Sequence, residues 1–179
     1  DIDLNVRDKC GWTAFMWACK NGHKDVVKLL LDHSERIDLN ARDNDGGTAL
    51  MFACNYGHTG VVQVLLNLSG DKIIDLNAKD HQTLQTAFMD ACQWGHKDVV
   101  KLLLDHSSER NIDLNARDRY GETGFMMACR IGHKYVVQLL LDNTDIELNS
   151  RDNDGETAFM LACRYAQKDV VKLLLDNAE

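Results

Sequence analysis

A segment of eleven residues that recurs along the chain is the sequence feature that most restricts its fold. Residues 22–32 and 95–105 have the same sequence, Gly-His-Lys-Asp-Val-Val-Lys-Leu-Leu-Leu-Asp. Looser copies occupy residues 57–67, 132–142 and 168–176. Self-similarity of this kind is typical of repeat proteins, in which each unit buries its apolar face against its neighbours. We therefore interpret every other segment as part of a repeat.

Composition and charge exclude several classes of partner. The 179 residues are 45% hydrophobic, as in a folded soluble protein, and the formal charge is -8. No apolar run approaches the roughly 20 residues that a membrane-spanning helix needs. Nucleic-acid binders usually carry a basic patch or stripe, which this acidic chain lacks. We expect neither a membrane nor a nucleic acid as partner.

The cysteines predict a reducing compartment. Five of the six occupy the same position of successive repeats: Cys19, Cys54, Cys92, Cys129 and Cys163. Equivalent side chains lie a whole structural layer apart, which is too far for a disulfide. We interpret them as buried thiols of an intracellular protein, cytoplasmic or nuclear. Cys10 lies elsewhere and could link two molecules by oxidation.

Each repeat has the same predicted anatomy, which the first one illustrates. Asp8 and Gly11 stand where a tight turn prefers Asp and Gly, which predicts a short finger. Thr13 is placed to cap a brief helix that stops at Gly22, and a second helix is predicted from about Lys24 to Asp32. In the third repeat, residues 80–86 are one residue longer and lack the glycine. We expect an irregular tip there.

With finger, short helix, glycine joint and second helix in place, the chain resembles an ankyrin repeat array. The matching residues are Asp-x-x-Gly-x-Thr-Ala at the turn, Ala-Cys-x-x-Gly-His at the joint, and Val-Val-x-Leu-Leu-Leu in the second helix. The family's Thr-Pro-Leu-His signature is altered, for example to Thr-Ala-Phe-Met at residues 13–16. The resemblance implies an all-α solenoid of five finger and helix-turn-helix units with short β-hairpin-like fingers.

We predict one domain, residues 1–179, divided at about 1–36, 37–73, 74–111, 112–145 and 146–179. Solenoids normally end in repeats with a polar outer face. Neither end of this array has the sequence of such a cap, so the ends are expected to be truncation points or to tolerate exposure.

Catalysis and metal binding find little support. Cys19 and His23 are four residues apart, and the spacing returns in the next three repeats, but structural zinc needs four ligands. We interpret the cysteines as core residues and the histidines as hydrogen-bond partners of the joints. No catalytic residue, metal ligand or cofactor is predicted. A metal or redox protein built on these residues stays an alternative hypothesis.

The positions at which the repeats differ point to a partner-binding surface. In the resembled family, the fingers and the outer side of the first helices form a concave surface for partners. A core position keeps its residue type from layer to layer, as Val26 and Leu30 do, whereas these positions vary and are rich in aromatics. Large aromatics are enriched among interface hot spots. The predicted contact residues are Lys9, Trp12, Trp17, Asn44, Asp45, Phe52, Tyr56, His81, Gln82, Gln85, Asp90, Trp94, Arg119, Tyr120, Met127, Arg130, Asp154, Leu161, Arg164 and Tyr165.

The sequence therefore favours a non-catalytic module that binds a partner protein or peptide on its concave surface. We expect a monomer, with end-to-end or Cys10-linked association as the alternatives. A second hypothesis is an engineered or duplicated scaffold without a natural partner, which the identical segments favour. The resemblance also implies candidate sites of asparagine hydroxylation at Asn40, Asn77 and Asn115.

Overall fold

The computed structural model describes residues 2–68 and 73–177. This part of the chain forms eleven α-helices and no strand, so the predicted all-helical solenoid is confirmed. None of these helices is long and apolar enough to cross a membrane. In chain order they are α1 (Ala14–Lys20), α2 (Lys24–Leu31), α3 (Ala49–Asn55), α4 (Thr59–Leu66), α5 (Ala87–Gln93), α6 (Lys97–Asp105), α7 (Ser107–Arg110), α8 (Gly124–Ile131), α9 (Lys134–Leu141), α10 (Ala158–Arg164) and α11 (Lys168–Asp176).

Threonine caps begin the first helix of every repeat. The Thr13 hydroxyl accepts a hydrogen bond from the Met16 backbone N–H at 3.3 Å, which satisfies one of the free amides of the first turn. The same bond recurs at Thr48, Thr86, Thr123 and Thr157. α1 ends before Gly22, whose φ of +69° suits a residue without a side chain. The predicted caps and stop signal are confirmed.

The helices stack in two rows. α1, α3, α5, α8 and α10 pack side by side, and α2, α4, α6, α9 and α11 form the second row. The side chains between them are buried, among them Phe88, Val100 and Leu103. Helices of seven to nine residues are marginal in isolation, so this packing supplies most of their stability.

The fingers are tight turns rather than paired strands. Asp43 Oδ1 accepts backbone N–H bonds from Asp45 and Gly47, and one isolated antiparallel bridge joins Arg151 to Thr157. Successive fingers are joined by backbone bonds, such as Asn44 N–H to Cys10 O at 3.1 Å. In the third finger the Asp80 carboxylate accepts three backbone N–H bonds, and the extra residue is accommodated by Leu84 at a φ of +61°.

Both ends of the array correct the expectation that equivalent positions are equally buried. Val26 is 48% exposed, although Val61 at the same position of repeat two is buried, because no repeat packs on α2 from the N-terminal side. Phe159 is 41% exposed for the corresponding reason at the other end. Cys163 is exposed as well, whereas the four preceding cysteines of this position are buried as predicted.

An asparagine at the start of each repeat bridges to the next one. The Asn77 amide donates to Asn111 O at 2.8 Å, and its side-chain oxygen accepts from the Asp113 N–H at 2.8 Å. Asn5, Asn40 and Asn115 make the same two bonds. The candidate modification sites are thus side chains that hold neighbouring repeats together.

Replacing Asn77 by Ala is expected to lower the free energy of unfolding by about 1–2 kcal/mol, because two hydrogen bonds at the junction with the next repeat are lost. Asn149 holds the same position in repeat five, where no repeat follows it in the structure. Its replacement by Ala is expected to cost about 0.5 kcal/mol or less. Urea denaturation of both variants checks this, and equal losses would contradict it.

Candidate partner-binding face

The predicted contact residues lie on the fingers and first helices, which we call the finger–helix face. Five of them are partly buried: Trp12, Phe52, Gln85, Asp90 and Arg130. The others that reach the surface are exposed: Lys9, Trp17, Asn44, Asp45, Tyr56, His81, Gln82, Trp94, Arg119, Tyr120, Asp154, Arg164 and Tyr165.

Two predicted contact residues are corrected by the structure. Met127 packs with Met89 and Ala116, and Leu161 lies in the main hydrophobic core. Both are buried, since these flexible or compact side chains fit between neighbouring first helices. Trp17 holds the same position in repeat one and remains 43% exposed. Met127 and Leu161 therefore belong to the framework.

An aromatic cluster covers the first two repeats of this face. The Trp12 ring stacks on Phe52 with centroids 4.0 Å apart and contacts Trp17 at 4.7 Å. The Lys20 ammonium lies over the rings of Trp12, Trp17 and Tyr56, at 4.4, 5.2 and 5.4 Å from their centroids. This cation–π contact keeps Lys20 within its own chain. Trp94 is exposed as well.

Two positions of each repeat, the residue before the capping threonine and the residue eight places later, form a recurring pair. The pair is an ion pair in repeats four and five, Glu122 with Arg130 at 2.9 Å and Glu156 with Arg164 at 2.6 Å. In repeat three Gln85 donates to Gln93 at 2.9 Å, and in repeat one Trp12 faces Lys20.

Repeat two is the exception, because its first member is a glycine. Gly47 and Asn55 occupy the two positions that are in contact in the other repeats. The Phe52 ring fills part of the space between them. A Cβ on Gly47 would lie 2.8 Å from Phe52 Cζ. The absence of a side chain at this position opens the face.

A cavity of about 580 Å³ lies at this opening, between fingers one to three and helices α1, α3 and α5. It brings together nine of the predicted contact residues: Lys9, Trp12, Asn44, Asp45, Phe52, Tyr56, Gln82, Gln85 and Asp90. It does not include those of repeats four and five, nor Trp17, His81 and Trp94.

Several lining residues are not among the predicted contacts. Cys10, Lys20, Gly47 and Asn55 lie at the same variable positions of the fingers and first helices as the predicted contacts, and the comparison of repeats does map them to this surface. Met51, Asp43, Asp80 and Thr83 have framework roles, and no sequence signal separates them from their equivalents.

Asp90 is the acidic residue of the cavity whose pKa is raised. Burial raises the pKa of its carboxyl to about 8, and the neighbouring Asp80 adds to the rise, while a hydrogen bond with the Asn55 side chain opposes it. Asp80 itself is desolvated, which raises its pKa, but bonds from Thr83, Gln85 and Gln82 outweigh this and leave the pKa below its ordinary value. Across residues 2–68 and 73–177, neither ion pair includes Asp90.

The repeated Cys and His residues are structural. The Nε2 atoms of His58, His96 and His133 donate to carbonyl oxygens of the preceding repeat, at 2.6–2.8 Å. Burial raises the pKa of the Cys19 thiol to about 12, so it stays protonated. In the described part of the chain, no group of three or more His, Cys, Asp or Glu side chains could hold a metal ion.

Comparisons with known proteins agree with this architecture. The family model described as ankyrin repeats (3 copies) matches residues 1–80, 41–118, 70–142 and 110–179, which together span the chain. Osteoclast-stimulating factor 1 from Monopterus albus is 58% identical over 31 residues. That match covers 17% of this chain and 14% of the relative, so the similarity concerns a short segment.

Proposed function

Because the chain belongs to the ankyrin repeat family, whose repeats generally mediate protein–protein interaction, we propose that it binds a partner protein or peptide on its finger–helix face. This face would be the concave side of the array. The family is typically a non-catalytic interaction module, and the proposal involves no chemistry. The single observation that carries it is the row of exposed aromatics on this face: Trp17, Tyr56, Trp94, Tyr120 and Tyr165.

Aromatic side chains with a polar edge supply contact area at a small cost in conformational entropy. Four of the charged side chains around them are paired within the chain, Glu122 with Arg130 and Glu156 with Arg164, and the Lys20 ammonium contacts three rings. Recognition along most of the face therefore rests on aromatic and hydrogen-bonding contacts rather than on net charge.

Replacing Trp17 and Tyr56 together by Ala is expected to weaken partner binding by about 100-fold, since both are exposed anchors of one cluster. The melting temperature should change by about 3 °C or less, because the loss within the chain is chiefly the Trp17 Nε1 bond to Asp8 and contacts at the surface. Affinity capture from a lysate with quantitative mass spectrometry identifies the partner, and titration calorimetry measures its affinity.

Tyr135 provides the matched control, as an exposed tyrosine on α9 outside the finger–helix face. Tyr135→Ala should bind as the wild type does. Equal binding by the double variant would overturn the proposal. Recovery of no partner at any salt concentration would favour the alternative of a scaffold without a natural partner.

Modification of Asn40, Asn77 and Asn115 stays a prediction. Each amide bridges two repeats, so an oxygen added to these side chains would act at inter-repeat contacts. A mass increase of one oxygen at these residues, mapped by peptide sequencing of protein from cells, is the test.

A further inference from the structure

The cavity at repeat two differs chemically from the rest of the finger–helix face. Its lining combines the aromatic rings of Phe52 and Tyr56 with the polar side chains of Gln82, Gln85 and Asp90. Because Gly47 contributes no side chain, Asn55 has no pair partner across the finger and hydrogen-bonds Asp90 instead. The missing pair therefore creates both the cavity and the environment of the carboxyl group.

Asp90 stands at a position that is apolar in every other repeat, where Trp17, Phe52, Met127 and Leu161 occur. A partly buried carboxyl group is costly to place there unless a cation or several hydrogen bonds compensate it. A hydrogen bond with the Asn55 side chain favours the ionised form of Asp90, and the Lys20 ammonium in the same cavity lies over the aromatic cluster. Neither ion pair found in residues 2–68 and 73–177 compensates this carboxyl group, and a cation supplied by a partner would do so.

The lining favours a cationic occupant over an anionic one. Three acidic side chains besides Asp90 line the cavity, those of Asp43, Asp45 and Asp80, against the two ammonium groups of Lys9 and Lys20. An anion would meet this excess of like charge, whereas a cation would be attracted. Once a cation reaches Asp90, the ionised form of the carboxyl group is favoured, which offsets the effect of burial on its pKa.

Among natural cationic side chains, arginine fits this lining best. Its guanidinium is planar, stacks on aromatic faces and is more weakly hydrated than an ammonium group, so it is less costly to bury. It also donates two parallel hydrogen bonds to one carboxylate, and its remaining N–H groups can reach amide oxygens such as those of Gln82 and Gln85.

We propose that this cavity is the subsite for an arginine side chain of the partner, with the guanidinium on Asp90 and its flat faces against Phe52 and Tyr56. The proposal rests on the proposed function, which it deepens by naming one anchor of the bound segment. It makes this subsite a point at which the face selects among peptides, because Asp90 is partly buried and belongs to neither ion pair found in the described residues.

The test begins with a random peptide library displayed on phage and selected against the immobilised protein. Binders are expected to share an arginine at one position. Replacing that arginine by citrulline, which keeps the shape and removes the charge, should weaken binding by about ten-fold or more. Asp90→Asn should cause a similar loss for the arginine peptide and little further loss for the citrulline peptide. Asp98→Asn, which changes an exposed carboxylate on α6 outside the finger–helix face, is the matched control and should bind normally.

The outcomes separate this inference from the proposed function. Peptides that require Trp17 and Tyr56 but tolerate both citrulline and Asp90→Asn would overturn the arginine subsite and leave the proposed function standing. An arginine-to-lysine change that keeps the affinity within about two-fold would also overturn the assignment to a guanidinium. Selection of no peptide that depends on the finger–helix face would overturn both.

A direct measurement uses N-acetyl-arginine methylamide as the probe. At millimolar concentration it should shift the side-chain amide resonances of Asn55 and Gln85 in nuclear magnetic resonance spectra, whereas the citrulline analogue should not. Unchanged spectra with both compounds in the wild-type protein would contradict the subsite.

Discussion

Replacing Gly95 by Ala is expected to lower the free energy of unfolding by about 3 kcal/mol. Gly95 has a φ of +71°, a conformation that costs a residue with a Cβ about 1–2 kcal/mol. A Cβ there would also lie 2.5 Å from Nδ1 of His133, whose Nε2 donates to Gln93 O at 2.8 Å. The ring must move, and the hydrogen bond between repeats three and four is lost, for about 1 kcal/mol more.

Gly155 is the matched control, because its φ is +80° and a Cβ at this residue would meet nothing within 4 Å beyond its chain neighbours. Gly155→Ala is expected to cost about 1 kcal/mol, from backbone strain alone. Urea denaturation followed by circular dichroism measures both. In a His133→Ala background the cost of Gly95→Ala should fall to that of Gly155→Ala. Equal losses for the two glycine variants in the natural background would show that the histidine contact contributes nothing.

The framework could be predicted from the sequence because each of its signals occurs several times. A threonine before Ala14 is a weak cap signal alone, but the same residue precedes every first helix and caps each one. The second helix is predicted from about Lys24 to Asp32 and is found at Lys24–Leu31. Local signals suffice here, since cap, turn and helix are each decided within a few residues.

The cavity could not be predicted, because it depends on residues that three different repeats bring together. The sequence around Gly47 is that of a turn. The opening that Gly47 leaves becomes visible only when the positions of Phe52 and Asn55 around it are known. The environment of Asp90 likewise depends on Asp80 and on a side chain from the preceding repeat. The cavity and the raised pKa of Asp90 both depend on how side chains of neighbouring repeats fit together. A comparison of the repeats one by one does not contain this information.

Mapping by repeat position also failed where burial depends on size or on a neighbouring repeat. Position equivalence placed Met127 and Leu161 beside Trp17, but only the large indole is kept from the space between the helices. Val26 and Cys163 match buried residues of other repeats and are exposed because a neighbouring layer is missing on one side. Sequence equivalence therefore predicts where a residue lies on its own repeat and leaves open what covers it.

Replacing Asp90 by Asn is expected to stabilise the free protein, and the gain should depend on pH. Burial first and then Asp80 raise the folded-state pKa of this carboxyl to about 8, against about 3.9 in an unfolded chain. Below pH 4 both states hold the proton, and Asp90 carries no penalty. Between pH 4 and 8 the unfolded chain releases the proton while the folded protein keeps it, so the wild type loses stability as pH rises. Above pH 8 the penalty approaches its full value, with an upper limit of about 6 kcal/mol.

Urea denaturation of the wild type and Asp90→Asn at pH 4, 6 and 9 measures this difference. We expect no gain at pH 4 and about 3–5 kcal/mol at pH 9. The neighbouring thiols of Cys54 and Cys92 stay protonated over this range, because burial raises the pKa of both, so they add no slope of their own. A gain that is the same at all three pH values would show that Asp90 is not held neutral by its surroundings. A gain that increases with pH would mean that Asp90 lowers the stability of the free protein. Such a cost is expected where a side chain is selected for binding rather than for folding.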